Sequence, residues 1–233
     1  MPWKIYKKRH LTSFQVIILG FAGVILFGAL ILMLPISSAQ AIITPFHKAL
    51  FTSTSAVCVT GLAVLDTGSY WSVFGQTVIM FLIQIGGLGV ITTATAVFIL
   101  SGRKISIMQR STMQNAISAP KVGGIVRLMS FILKGTLLIE LIGALFMIPV
   151  FCHDFGLRGI WMSIFHSVSA FCNAGFDLLG TKWHPFVSLT SYAVNPVINI
   201  VIMLLIIIGG IGFFTWEDIY LSLIHISEPT RRR

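Results

Sequence analysis

The sequence predicts an all-α membrane protein made of two copies of one unit, and three observations carry that reading. The first is composition: 56% of the 233 residues are hydrophobic and only 10% are charged, whereas a soluble globule carries about a quarter charged residues. The second is an internal repeat. Phe51-Thr52-Ser53-Thr54-Ser55-Ala56-Val57-Cys58-Val59-Thr60-Gly61 returns as Phe165-His166-Ser167-Val168-Ser169-Ala170-Phe171-Cys172-Asn173-Ala174-Gly175, with Phe, Ser, Ser, Ala, Cys and Gly matched in register. The third is a later echo, in which Ile85-Gly86-Gly87-Leu88-Gly89 comes back as Ile208-Gly209-Gly210-Ile211-Gly212.

Each element follows from the pattern of apolar runs and breakers. Residues 1–13 carry Lys4, Lys7, Lys8 and Arg9, and residues 14–34 then run without a charge. At about 1.5 Å per residue that run covers roughly 30 Å, the hydrocarbon thickness of a bilayer. It is read as the first membrane helix, ended by Pro35, and because the run is long enough to span it is expected to stay in the protein. Residues 37–44 connect to a short helix over 45–56, with Pro45 in its first turn, too short to cross a bilayer. Residues 62–72 hold Asp66, Gly68, Tyr70 and Trp71, a turn-rich stretch suited to an interface, and residues 74–100 form the second span.

Residues 101–127 are basic, with Arg103, Lys104, Arg110, Lys121 and Arg127 and no acid, and Pro120 with Gly123-Gly124 breaks the chain before the next helix. The plan then repeats over 128–220: a span at 128–150, a connector, a short helix at 159–171, a turn, and a span at 196–216. The units are therefore 14–100 and 128–220, joined by the basic loop 101–127 and followed by a tail, 221–233. The loops with the short helices hold Lys48, Arg158 and Lys182 against Asp66, Asp154 and Asp177, whereas the N-terminal and central segments are purely basic. The positive-inside bias predicts a multi-pass protein with both termini and the central loop cytoplasmic, and short helices dipping in from outside.

Several function classes fall away. The basic residues separate apolar runs instead of forming an aromatic-interleaved patch, so no nucleic-acid partner is expected. Cys58, Cys152 and Cys172 fit neither a metal spacing nor a disulfide framework. No HExxH, Ser/His pairing or apposed intramembrane carboxylates point to an enzyme. His47, His153, His166 and His184 share no ligand spacing and read as packing or interfacial residues.

A short helix that stops inside a bilayer leaves carbonyls that hydrocarbon cannot satisfy. A cation can satisfy them, since a ring of carbonyls replaces its water shell and the helix C-terminus adds roughly half a negative charge. Gly61 and Gly175 suit such a site because glycine reaches backbone angles that turn carbonyls toward an axis; alternatively they merely end the short helices. Asp66 and Asp177 lie just beyond the glycines, where they either gather cations at a pore mouth or cap the loops. The paired glycines at 86–87 and 209–210 read as close-packing faces or as hinges. Glu140 sits mid-span, where an unpaired charge costs about 2.5–3.5 kcal/mol, so it is expected to face protein or water.

The segment Thr52–Leu62 with Asp66-Thr67-Gly68 resembles the first pore loop of the Trk/Ktr/HKT superfamily of potassium transporters, and within it the Ktr membrane subunit; His166–Asp177 is similar to the second pore loop. The resemblance runs from about residue 14 to 220. It implies a filter backbone of Val59, Thr60 and Gly61 with Asn173, Ala174 and Gly175, flanked by Cys58 and Cys172, and K+ as the transported ion with Na+ as a coupling or activating ion. A glycine at the first-loop position implies potassium over sodium. The family carries four membrane helix–pore helix–loop–membrane helix units around a pore, and this chain holds two, the N-terminal half of a pseudo-fourfold, potassium-channel-like ring. The third unit's gating loop and the fourth unit's pore-facing arginine have no counterpart. The implied partners are a second copy, a cytosolic nucleotide-binding regulatory ring and membrane lipid, in a bacterial plasma membrane. The tail, 221–233, has no counterpart in the family and reads as non-native read-through. A sodium-conducting or cation-symporting relative, and a non-conducting fragment, are the alternatives.

Overall fold

A computed structural model describes residues 12–89, 92–93, 125–213 and 215–216. The basic residues Lys4 to Arg9 and Arg103 to Lys121, the later part of the second expected span, and residues 221–233 lie outside the described residues. Among the described residues the chain is helical and holds no strand, only a single bridge between Ser38 and Trp71.

Helix α1, Ser13–Met33, opens on a capping box in which the Thr12 side chain accepts from Gln15 N while Gln15 reaches back to the Thr12 N–H. It closes before Pro35, as the sequence requires. Helix α2, Phe46–Val57, starts one residue later than expected, with Pro45 as its extended N-cap. After the one-turn α3, Thr67–Tyr70, Ser72 caps α4, Val73–Leu88. Helix α5, Ile125–Phe155, takes Pro149 inside it and overruns the expected span at both ends. The connector expected after it shrinks to Gly156-Leu157 before α6, Arg158–Phe171, because Gly156 adopts φ 59° and Gly159 lies flush on the Phe151-Cys152 backbone. Helix α7, Pro196–Ile211, has Asn195 as its N-cap and Pro196 in its first turn.

Among the described residues two helices are long and apolar enough to cross a membrane, Phe14–Met33 and Leu128–Phe155. At the other two expected spans the described helices are shorter. Gly89 at φ 82° ends α4 and Gly212 at φ 95° ends α7, leaving 16 mostly apolar residues in each, about 24 Å of helix. The repeated glycine run thus stops the second long helix of each unit at the same place.

The two units pack alike. In the first, Ser53 Oγ on α2 donates to Ile25 O on α1 at 2.7 Å; in the second, Ser167 Oγ on α6 donates to Glu140 O on α5 at 2.6 Å. Gly28 and Gly143 leave room for those serines. Gly86 of α4 abuts the Val57 carbonyl and Gly209 of α7 abuts the equivalent Phe171 carbonyl, so the glycine pairs serve close packing. Beside an apolar core that includes Ile79, Met147 and Phe165, Ser53, Ser55, Ser163, Ser167 and Ser169 on the short helices are buried, while Leu137, Leu138, Leu141, Leu145 and Phe146 on α5 face outward.

Candidate cation site at two helix ends

Both short helices end in the same hydrogen-bonded motif. At α2 the Val59 N–H donates to Ala56 O and the Thr60 N–H to Ser55 O; at α6 the Asn173 N–H donates to Ala170 O and the Ala174 N–H to Ser169 O. This is the Schellman pattern, which needs a left-handed residue just after the cap. That residue is Val59 at φ 55° and Asn173 at φ 58°. The glycines therefore do not end the helices; they come two residues later, Gly61 at φ 72° and Gly175 at φ 71°. Each loop alternates left-handed residues around one ordinary residue. In an extended chain successive carbonyls point to opposite sides, and a left-handed residue swings the adjoining peptide so that neighbours can face the same way.

The two loops meet at their glycines. A Cβ on Gly61 would stand 2.6 Å from Ala174 O and 3.5 Å from Gly175 Cα, and a Cβ on Gly175 would stand 3.7 Å from Gly61 Cα. Gly61, Ala174 and Gly175 are thus brought together by backbone alone. The remaining predicted positions lie one step behind them. Thr60 Oγ1 bonds Ser55 Oγ at 2.9 Å, and Asn173 Nδ2 reaches Ile206 O on α7 and Phe171 O at 3.4 Å each, turning toward its own unit and not toward the neighbouring loop. Cys58 is exposed, whereas Cys172 is buried against Gly87.

Beyond the glycines lies a cavity of about 250 Å³ lined by Gly61, Gly175, Asp66, Asp177, Phe186 and Ser188 among others. The two aspartates differ in it. Asp66 is buried and its oxygens are taken: Oδ2 by the Ser69 N–H at 2.8 Å and hydroxyl at 2.6 Å, Oδ1 by the Phe186 N–H at 2.8 Å. Asp177 is half-buried and accepts from the Leu179 N–H at 3.0 Å. Burial first, and then the nearby Asp66 charge, push the Asp177 carboxyl above its ordinary pKa, against the pull of backbone N–H groups.

Three further supports hold the loops; in the sequence His166 reads as a packing or interfacial residue and the other two carry no assigned role. Ser169 Oγ donates to Phe176 O at 2.7 Å and, with Ser55, holds the loop just past the helix end; both serines lie in the repeated frame, which was the available signal. His166 spans the second loop, with Nδ1–H donating to Met162 O at 2.7 Å and Nε2 accepting from the Leu178 N–H at 3.3 Å, so neither nitrogen is free for a ligand. Arg158 reaches Gly68 O at 3.3 Å, tying α6 to the first unit. No spacing in the sequence links the partners of these last two contacts.

The family model described as "Cation transport protein", TrkH, matches residues 4–229. The chain belongs to the TrkH family of cation transport proteins. The resemblance carried by the two loops is therefore to the right family, and the TrkH family is one of membrane proteins. The chain is 45% identical over 219 residues to the potassium/sodium uptake protein NtpJ of Enterococcus hirae, covering 92% of this chain and 47% of that one. It is 43% identical to the Ktr system potassium uptake protein B of Bacillus subtilis, over 93% of this chain and 47% of the relative. The Ktr system potassium uptake protein B of Vibrio alginolyticus is 34% identical over 88% of this chain and 44% of its own. The chain spans a little under half the length of these TrkH relatives.

Proposed function

We propose that this chain supplies two of the loops of a potassium-conducting filter, in which backbone carbonyls of Val59, Thr60 and Gly61, and of Asn173, Ala174 and Gly175, replace the water shell of a dehydrated K+. The observation that carries the reading is the matched backbone of the two loops, left-handed at Val59 and Asn173 and again at Gly61 and Gly175, with the glycines in backbone contact. Two loops of identical geometry at adjoining helix ends suit an ion on a shared axis; they suit no covalent chemistry. The C-terminal ends of α2 and α6 open into these loops and contribute their negative partial charge to the same point.

In this reading the architecture is two membrane helix–pore helix–loop–membrane helix units of a multi-pass protein, with both termini and the basic loop 101–127 on the cytoplasmic side of a bacterial plasma membrane. Asp177 and Asp66 stand at the outer mouth, Asp66 chiefly holding the loop. Cys58 and Cys172 flank the filter. Ions move inward down their electrochemical gradient. The relative named for potassium/sodium uptake supports Na+ as a coupling or activating ion. Those named for a Ktr system support a multi-component assembly, with a second copy of the membrane chain and a cytosolic nucleotide-binding ring as partners alongside anionic lipid.

The test is uptake by the transporter carrying this chain in a potassium-uptake-deficient strain and in liposomes. Gly61→Ser is expected to lower the preference for K+ over Na+ by about tenfold, the effect of roughly 1.4 kcal/mol at one coordinating position. Unchanged preference in a folded variant sinks the filter reading.

A further inference from the structure

The two units are near-copies, so a contact present at their seam and absent from the repeat is informative. Glu140 Oε1 on α5 accepts from Gln84 Nε2 on α4 at 2.9 Å, a bond from the second unit to the first. Neither side chain belongs to the repeated frame. The place of Glu140 in the first unit is held by Ile25, whose carbonyl takes the Ser53 hydroxyl as that of Glu140 takes the Ser167 hydroxyl. The place of Gln84 in the second unit is held by Ile207, which faces outward.

The surroundings make the bond the local polar anchor. The pair lines a cavity of about 280 Å³ whose other walls include Met80, Phe81, Leu137, Leu141, Ile164 and Val168, so among the described residues that lining offers neither group another polar side chain. Glu140 is only 6% exposed. Its helix also holds α6 through Ser167, five residues before Cys172, and three residues beyond Gln84 the glycine at 87 seats that same Cys172. The route from the bond to the second loop is therefore short on both sides: α5 through Ser167, and α4 through Gly87.

We propose that Glu140 and Gln84 are a positioning pair for ion selection: their bond fixes the second loop against the first, and so sets the spacing at which Gly61 meets Ala174 and Gly175. The inference rests on the filter reading above. A bond that only held the fold together would change stability and total flux but not the choice between ions, because both ions use the same folded protein.

The experiment measures K+ against Na+ uptake, and thermal stability, in the reconstituted transporter carrying this chain. Gln84→Leu and Glu140→Leu are each expected to reduce K+ preference about three- to tenfold, the worth of one buried hydrogen bond, and the double variant is expected to lose no more than either single one. Glu140→Gln, whose amide oxygen can accept from Gln84, is expected to keep the preference within about twofold of the parent. Unchanged preference in folded Gln84→Leu overturns the proposal, as does a loss in Glu140→Gln equal to that in Glu140→Leu, or additive losses in the double. If Glu140→Leu does not fold, Gln84→Leu decides. Gly61→Ser is run beside them: where it alters ion choice and Gln84→Leu does not, the pair is wrong and the filter stands; where neither does, the filter reading itself has failed.

Discussion

Val59 occupies a left-handed backbone position at φ 55°, where a β-branched side chain is least at ease. The placement costs about 1–2 kcal/mol, and the bonds from the Val59 and Thr60 N–H groups to Ala56 O and Ser55 O, with the hydroxyl pair of Thr60 and Ser55, hold it there. Val59→Gly is expected to raise thermal stability by about 1 kcal/mol, the relief of strain exceeding the extra backbone entropy of glycine of about 0.5–1 kcal/mol. The same variant frees the loop and should weaken K+ preference, so stability and selectivity move in opposite directions in one assay pair. Asp177 gives a second handle. Its folded pKa is raised, so the fold favours its protonated form; that contribution to stability is full below the ordinary carboxylate pKa and is lost as pH rises through the folded value. Asp177→Asn should remove this slope, leaving melting temperature flatter from acid toward neutral pH than in the parent. A slope equal to the parent's would assign the effect to another group.

At the level of elements, the repeat is expressed in hydrogen bonds as well as in sequence. Ser53 and Ser167 each lock a short helix to the long helix before it, with donor–acceptor distances of 2.7 and 2.6 Å. Ser53→Ala and Ser167→Ala should therefore cost about the same, each about 1 kcal/mol, read by thermal unfolding in detergent. A much larger loss at one of them would show that the two units do not share their packing energetics. The glycine pairs act at this scale too. Gly86 and Gly209 let α4 and α7 lie directly on the ends of α2 and α6, and Gly87 adds a contact across the seam to Cys172 that Gly210, nearest Asn173 Nδ2 at 3.9 Å, does not repeat. That difference is the element-scale reason the halves are not interchangeable.

Across the described residues, apolar side chains cover the outer faces of the long helices, and the middle holds an apolar cluster around Ile79, Met147 and Phe165 with the buried serines of the short helices beside it, which suits a protein surrounded by hydrocarbon. The two cysteines at the short-helix ends sample that middle from different depths: Cys58 is exposed and Cys172 is buried. In the transporter in membranes, a small thiol reagent should modify Cys58 and spare Cys172, and K+ held at the adjoining loop should slow the reaction at Cys58. Labelling of Cys172 at an equal rate would mean the second helix end is not packed as described. The helical membrane class was legible because low charge content and long apolar runs leave few alternatives, and some helix ends were legible where Pro35 follows α1 and Pro45 and Pro196 open α2 and α7, although Pro149 lies inside α5. The lengths of α4 and α7 were less so: Gly89 and Gly212 sit inside apolar runs, and hydropathy alone does not register a left-handed turn. The close connection of α5 to α6 was likewise hidden, since it depends on Gly159 lying on the backbone of Phe151 and Cys152.

By itself the sequence determined the helical membrane class, the twofold repetition and the loop positions from Val59 to Gly61 and from Asn173 to Gly175, because composition, periodicity and repetition act locally along the chain. Tertiary structure alone decided which residue ends each short helix, that Gly61 and Gly175 meet, that Asp66 is a loop anchor while Asp177 is less committed, and that Glu140 finds Gln84. Each of those facts pairs residues far apart in the chain, and such a pairing is set by how helices pack in space, on which no local pattern of residue types depends.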